Sequence, residues 1–328
     1  MVARLTGGQE VGGSNPLSPT LNYKRMKQSL NIWKFTDGKQ GHVSQSDGLI
    51  AAIRKSHEVI ESVIEVNQMP SAFFMLFNWI FRKRPAIFPS NTPDFIIGAG
   101  HRTHASMLLA TSLCGGKTIV LMKPSLPLRQ FNFVVVPKHD GLPPRGNIIE
   151  IQGVLNAIEH VKGKSMQCGL MLIGGDSSHF VWDDTQVIKQ ITEIIESDRQ
   201  VSWTLTTSRR TPDSFLQLLD GLQITVMSFE ETDKTWLHEQ YKKSGRIWIT
   251  PDSVSMVYEA LSSGAVSNVF SLLPKGKISR VRMGLENLID MGSVRTFEYW
   301  KEHPSIEEVS SSCNESTRVA TLILESIS

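Results

Sequence analysis

A short apolar run, Leu170 to Ile173, stops at Gly174 and Gly175 and is followed by Asp176, Ser177, Ser178 and His179. A buried parallel strand ending in a tight turn before a helix has this outline, and the helical pattern from Asp183 to Glu196 completes it. Glycine lets the backbone approach a ligand closely. Ser177, Ser178 and His179 add hydroxyl and imidazole groups beside the unpaired N–H groups of a helix start, which suits a phosphate. A plain strand-to-helix turn capped by Asp183 or Asp184 has the same appearance, so the loop needs support from the rest of the chain.

Two further loops add to it. Thr206 to Pro212 follows another apolar strand and carries Ser208, Arg209 and Arg210. Adjacent guanidinium groups among hydroxyls at a carboxyl strand end suit an anion such as a diphosphate; the alternative is a solvated loop in which Thr211 caps the next helix. Thr250 to Ala260 repeats strand, loop and helix. There Asp252 or Ser253 can cap, Ser255 lies in the first turn, and Glu259 sits about two turns in, where a carboxylate accepts hydrogen bonds from ribose hydroxyls. A fourth block, Gly98 to His104, places Gly100 and Arg102 between strand and helix as further ligand-binding candidates. Its two histidines, His101 and His104, lack a third ligand, so no metal is expected.

Regular elements place these loops. Asn31 to Phe35 reads as a strand, Thr36 to His42 as a second glycine-bearing loop, and Ser44 to Ser56 as a helix. Glu58 to Val66, Asp94 to Gly100, Thr118 to Met122, Phe133 to Val136 and Ile148 to Ile151 are β-rich. The second half continues with strands at Val201 to Thr206, Ile224 to Met227, Ile247 to Ile249 and Val266 to Phe270. Helices are expected at Thr211 to Leu219 and Ser253 to Ser263. Strands alternating with helices call for mainly parallel sheets covered on both faces, here two Rossmann-like domains with a ligand cleft at the carboxyl ends of their strands. The polar stretch Val161 to Ser165 divides them into residues 26–162 and 163–328, and a helix after Ser305 could pack on either.

Composition narrows the class. The 328 residues are 40% hydrophobic with a net charge of +2, enough for a large core and too balanced to suggest nucleic acid as a partner. Cys114, Cys168 and Cys313 are odd in number and widely spaced, which fits a reducing compartment, so a cytoplasmic location is expected. Residues 1–25 are rich in Gly, Ser, Asn, Pro and Thr, and the run Val11 to Thr20 resembles a translated transfer-RNA gene arm, from which Met26 is expected to be the true start. Ser71 to Arg84 is aromatic-rich, closed by Arg82, Lys83 and Arg84, and too short to span a bilayer. Apolar residues on nearly every face favour a core helix with a basic end; exposed, the segment would dock peripherally at the inner membrane.

Asp37-Gly-Lys-Gln-Gly-His42 with Gln45, Gly98 to Thr103, Val136 to Asp140, Ile173 to His179, Thr206 to Pro212, and Thr250 to Met256 with Glu259 resemble, in this order, the blocks of the ELM (elongated mitochondria) fission-protein family and its bacterial relatives. The resemblance runs from Ile32 to Phe297 and implies a glycosyltransferase-B type architecture. Plant members are tied to recruitment of a dynamin-related protein at mitochondria; bacterial members have no such organelle. In similar glycosyltransferases, such as the enzyme that makes lipid II, a glycine-rich N-terminal loop sets a histidine against the acceptor. That implies His42 as general base or oxyanion-side group, with Asp37 beside it and Gly38 and Gly41 at the ligand, although Asp37 stands where a further glycine is usual. In the second domain it implies Gly174, Gly175, Ser177, Arg209 and Ser253 around a nucleotide-diphosphate-sugar, and Glu259 at its ribose. The expected reaction is a metal-independent glycosyl transfer that needs no cofactor. An epimerase acting on the same donor, or a non-catalytic scaffold recruiting an unknown protein partner, fits the same blocks.

Overall fold

The computed structural model describes residues 29–69, 77–304 and 314–326. The first sheet contains β1 (Ser29–Thr36), β2 (Glu58–Glu65), β3 (Phe95–Ala99), β4 (Lys117–Leu121), β5 (Phe133–Pro137) and β6 (Ile148–Ile151) in the order β2-β1-β3-β4-β5-β6. The second contains β7 (Ser165–Leu172), β8 (Ser202–Thr206), β9 (Thr225–Met227), β10 (Ser244–Ile249), β11 (Val266–Val269) and β12 (Arg295–Thr296) in the order β12-β11-β10-β7-β8-β9. Every ladder between these strands is parallel.

Side chains of the first sheet alternate between two cores, as the two-residue strand period requires. Trp33, Phe35, Ile96, Val120 and Val134 join Met107 and Ala110 of α2 (His104–Cys114) on one face. Ile32, Ile97, Ile119 and Val135 join Leu49, Ile50 and Ile53 of α1 (Gln40–Arg54) on the other. That second core is completed by Val319, Ala320 and Ile323 of the last described helix, Glu315–Glu325. A division at residue 163 would leave this helix with the second half; instead it closes the first sheet.

In the second half, α3 (Asp184–Ser197) buries Val187, Ile191 and Ile194, spaced four and three apart along one helix face. Asp183 caps it, its carboxylate accepting from the Gln186 N–H at 3.1 Å. After β8 comes the short α4 (Asp213–Gln217), followed by α5 (Lys234–Lys243), α6 (Val254–Ser263), α7 (Arg280–Asp290) and α8 (Phe297–Glu302). The terminal helix is α9.

The connector between the sheets is fixed at Asn156. Its N–H donates to Ser316 Oγ of α9 at 3.1 Å, its carbonyl accepts from the same hydroxyl at 2.7 Å, and its Nδ2 donates to Ser262 Oγ of α6 at 3.0 Å.

The aromatic segment departs from the core-helix reading. Residues 77–80 are helical, but Phe77, Trp79, Ile80 and Phe81 are exposed; the part of the segment at 71–76 lies outside the described residues, as do residues 1–28 and Cys313. Among the described residues no helix is long and apolar enough to cross a membrane.

Candidate functional site

In an open parallel sheet, ligands bind where strand order reverses, because the loops leaving neighbouring strands there diverge and open a crevice. The first sheet reverses between β1 and β3, the second between β7 and β10. The loops after β1 and β3 carry Asp37, Gly38, Gly100 and Arg102, and the first turn of α1, which starts at Gln40 rather than at Ser44, carries Gly41 and His42. Those after β7 and β10, with the neighbouring β8 loop, carry the remaining candidates except Ser255 and Glu259, which lie on α6.

At the first reversal Asp37 and His42 form a pair. His42 Nδ1 lies 2.9 and 3.1 Å from the two Asp37 carboxylate oxygens, and the Asp37 side chain is fully buried. Burial alone would raise the Asp37 pKa, but the His42 hydrogen bond and the Lys39 N–H, 3.2 Å from Oδ1, outweigh it and hold the carboxyl below its ordinary range. A carboxylate only accepts, so Nδ1 carries the hydrogen and Nε2 is left as the acceptor of the neutral ring. Gly100 permits this arrangement: its φ is 87°, and a Cβ there would come within 2.5 Å of the His42 ring. Gly38 and Gly41 are exposed with nothing near the Cβ position of either, and Arg102 is exposed. His104 is buried, with Nδ1 3.1 Å from Ser125 Oγ, whereas His101 faces outward; among the described residues no group of three or more acidic, His or Cys side chains could hold a metal.

At the second reversal the three loops converge, but on one another. The Gly174 N–H donates to Thr250 Oγ1 at 2.7 Å and the Gly175 N–H to Asp252 Oδ2 at 3.2 Å. The Gly174 carbonyl accepts from the hydroxyls of Ser208, at 2.9 Å, and Thr211. Arg210 reaches in from the surface to pair with the fully buried Asp252 at 2.6 Å, and it also donates to the Asp176 carbonyl at 3.1 Å. Two expectations change as a result. The glycine amides are engaged within the protein rather than presented to a diphosphate, because threonine and aspartate side chains at the neighbouring strand end reach them first. Arg210, not Arg209, belongs to the glycine loop; the exposed Arg209 guanidinium lies over the Phe229 ring at 5.0 Å.

Other members of these loops serve the turn or face outward. Ser177 Oγ accepts from the N–H groups of His179, at 3.2 Å, and Phe180, at 3.1 Å. Ser178 is exposed, and the half-buried His179 accepts the Lys275 N–H on its carbonyl at 2.8 Å. Ser253 occupies the N-cap position of α6 without a side-chain cap bond, and Ser255 is exposed in the first turn. Thr211 does not cap a helix as the solvated-loop alternative has it; Pro212 holds the N-cap position of α4 and Thr211 ties the β8 loop to the glycine loop. Glu259 turns toward α5, where it accepts from the hydroxyl of the fully buried Tyr241 at 3.1 Å. Burial pushes its carboxyl up to about 7, with the Tyr241 hydrogen bond and the nearby Lys234 acting in the opposite direction.

A cavity of about 400 Å³ lies between the two halves. Lys138, Ile151, Gln152 and Gly153 at the carboxyl ends of β5 and β6 form one wall, and Tyr258 with Gly284, Asn287 and Asp290 of α7 form the other. Of these, only Lys138 and Tyr258 fall within or beside a block that sequence singles out. The α7 wall carries no motif, because an amphipathic helix is all that its sequence shows.

Two parallel six-stranded units with a cavity between them and candidate loops at both points of reversal define the glycosyltransferase-B type of architecture, built from two Rossmann-like domains. The chain belongs to the mitochondrial fission ELM1 family, which it matches over residues 40–327. It is 24% identical over 355 residues to the uncharacterized protein RP120 of Rickettsia prowazekii (strain Madrid E), covering 90% of this chain and 98% of that one. Among solved structures, a Listeria monocytogenes protein described as a UDP-N-acetylglucosamine 2-epimerase superposes with a TM-score of 0.55 at 13% identity, over 91% of this chain and 96% of that one. The S. aureus MnaA structure with UDP gives 0.50 at 12% identity, over the same shares. At these identities the likeness is one of fold.

Proposed function

We propose that this chain is a glycosyl-transfer enzyme that uses a nucleotide-diphosphate-sugar without a metal. The observation that carries the reading is the Asp37–His42 pair: a buried carboxylate fixes Nδ1–H and leaves Nε2 as a base at the mouth of the first sheet's crevice. His42 Nε2 takes the proton of an acceptor hydroxyl as that oxygen bonds to the anomeric carbon, and the bond from that carbon to the diphosphate breaks, releasing the nucleoside diphosphate. Asp37 orients the ring and stabilises the imidazolium as it forms. With the Gly174 and Gly175 amides engaged, the charge of the departing diphosphate falls to the first-turn N–H groups of α6, which lack a side-chain cap, and to Arg209. The related UDP-bound fold supports a nucleotide diphosphate as the donor class.

A thermal-shift panel of nucleotide-diphosphate-sugars tests the donor. One member should raise Tm specifically through binding to the native state. With that donor, His42→Ala should retain binding while transfer falls by about 10²- to 10⁴-fold, the range of general base catalysis. Conversion of the donor to an epimer without an acceptor would move the same site to epimerase chemistry. Absence of stabilisation by every donor at millimolar concentration would sink the enzyme reading.

A further inference from the structure

The helix at residues 77–80 presents a surface for which the candidate site has no use. Phe77, Trp79, Ile80 and Phe81 are 38, 53, 58 and 58% exposed, four large apolar side chains within five consecutive residues. The fold holds them in place. Asn78 between them is buried, the Trp79 indole N–H donates to Ser112 Oγ of α2 at 3.2 Å, and the Phe77 and Phe81 rings lie 4.4 Å apart.

The helix closes on a left-handed residue, Arg82, with φ 50°. Its N–H donates to the Trp79 carbonyl at 3.3 Å, and the Lys83 N–H donates to the Asn78 carbonyl at 2.9 Å. Glycine is the residue that makes this closure without strain. Here an arginine makes it and sets a cation at the end of the apolar turn. Arg82 and Lys83 are exposed and have no ion pair or side-chain hydrogen bond among the described residues. Arg84 differs, lying over Trp33 at 5.3 Å and donating to the Asn91 carbonyl at 2.6 Å.

We infer that residues 77–83 dock the protein on an anionic lipid bilayer, with the rings of Phe77, Trp79 and Phe81 in the interface and Arg82 and Lys83 on the headgroups. Aromatic rings flanked by unpaired cations are the composition that partitions to such a surface, and no described helix is long and apolar enough to cross it. A net charge of only +2 means that the cations here are a local arrangement, not a by-product of a basic protein. A second copy of the chain is the less suitable occupant. Two such faces in contact would bring four unpaired cations into one apolar interface, where like charges oppose association.

Co-sedimentation of the full chain with phosphatidylcholine vesicles, with and without phosphatidylglycerol, tests the inference independently of any sugar chemistry. Wild type should sediment with the anionic vesicles and be released by salt. Arg82→Gln with Lys83→Gln should lower partitioning by about 30-fold, from the usual contribution of two cations near an anionic surface. Trp79→Ser with Phe81→Ser should abolish partitioning, and Ile60→Ser, an exposed apolar site on β2, should leave it unchanged, with thermal melts as the check that each variant is folded. Wild type that ignores anionic vesicles, or equal binding by both double variants, overturns the inference. So does a wild-type dimer in light scattering that Trp79→Ser with Phe81→Ser converts to monomer.

Discussion

Glu259→Gln should change how stability depends on pH. The Glu259 carboxyl titrates near an ordinary 4.5 in the unfolded chain and at about 7 in the folded protein. The folded state therefore binds the proton more tightly, and this contribution to stability is fully present below pH 4.5. It declines as the pH rises through the interval and is gone above about 7. A difference of about 2.5 pH units at about 1.4 kcal/mol each gives about 3 kcal/mol lost between pH 4.5 and 8. Glutamine stays neutral and keeps an acceptor for the Tyr241 hydroxyl. Tyr241 itself remains a neutral donor throughout, since burial first and then the Glu259 charge raise its pKa well above the ordinary tyrosine value. Urea unfolding of both proteins at pH 4.5, 6, 7 and 8, with equal m-values as a check on the unfolded state, measures the difference. The variant and wild type should be close in stability at pH 4.5, and the variant more stable by about 3 kcal/mol at pH 8. Every other group titrates alike in both proteins and cancels. Two curves that stay parallel across this range would refute the assignment of a carboxyl held neutral against Tyr241, and a crossing of opposite sign would reverse it.

Other perturbations follow from the same geometry. Arg210→Ala leaves the Asp252 carboxylate buried without its cation; breaking such a pair costs about 3 to 5 kcal/mol when both partners are buried, and about 2 to 3 kcal/mol is expected here because Arg210 is partly exposed, to be read in urea unfolding. Gly100→Ala forces a Cβ against the His42 ring at a positive φ, so the imidazole should leave Asp37. The nitrogen-bound proton of His42 should then disappear from the downfield region of the NMR spectrum, with a stability loss of about 1 to 3 kcal/mol. In the proposed enzyme, transfer should fall while donor binding persists.

Short runs rich in Val, Ile, Leu and Phe located most of the strands in the sequence, two of them ending in glycine, because a parallel strand buried on both faces needs a nearly unbroken apolar run. Leu170 to Ile173 marked the end of β7, although its first residues, from Ser165, lack that signature. Four elements, α5, α7, α8 and β12, were not read from the sequence. Helix α5 is largely polar apart from Trp236, Leu237 and Tyr241, and β12 is two residues long, too short to show a period. At the candidate site the residue types were legible but their engagements were not. Gly174, Arg210 and Asp252 each stand in a loop that sequence marks, yet which guanidinium reaches the buried carboxylate depends on the approach of β8 and β10 to β7, a tertiary fact. The exposure of Phe81 was equally hidden, since an apolar segment has the same pattern whether covered or bare.

The closing of the first sheet by α9 has a mechanical result. The backbone passes between the halves twice, once through Asn156 and once on its way to α9, and the Ser316 hydroxyl bonds the second crossing to the first. A body hung from one tether can twist freely, whereas one hung from two neighbouring attachments can only swing like a door. Any gape between the halves is therefore widest away from Asn156 and smallest beside it. In any such opening, His42 at the start of α1 and Ser253 before α6 would separate along an arc about Asn156.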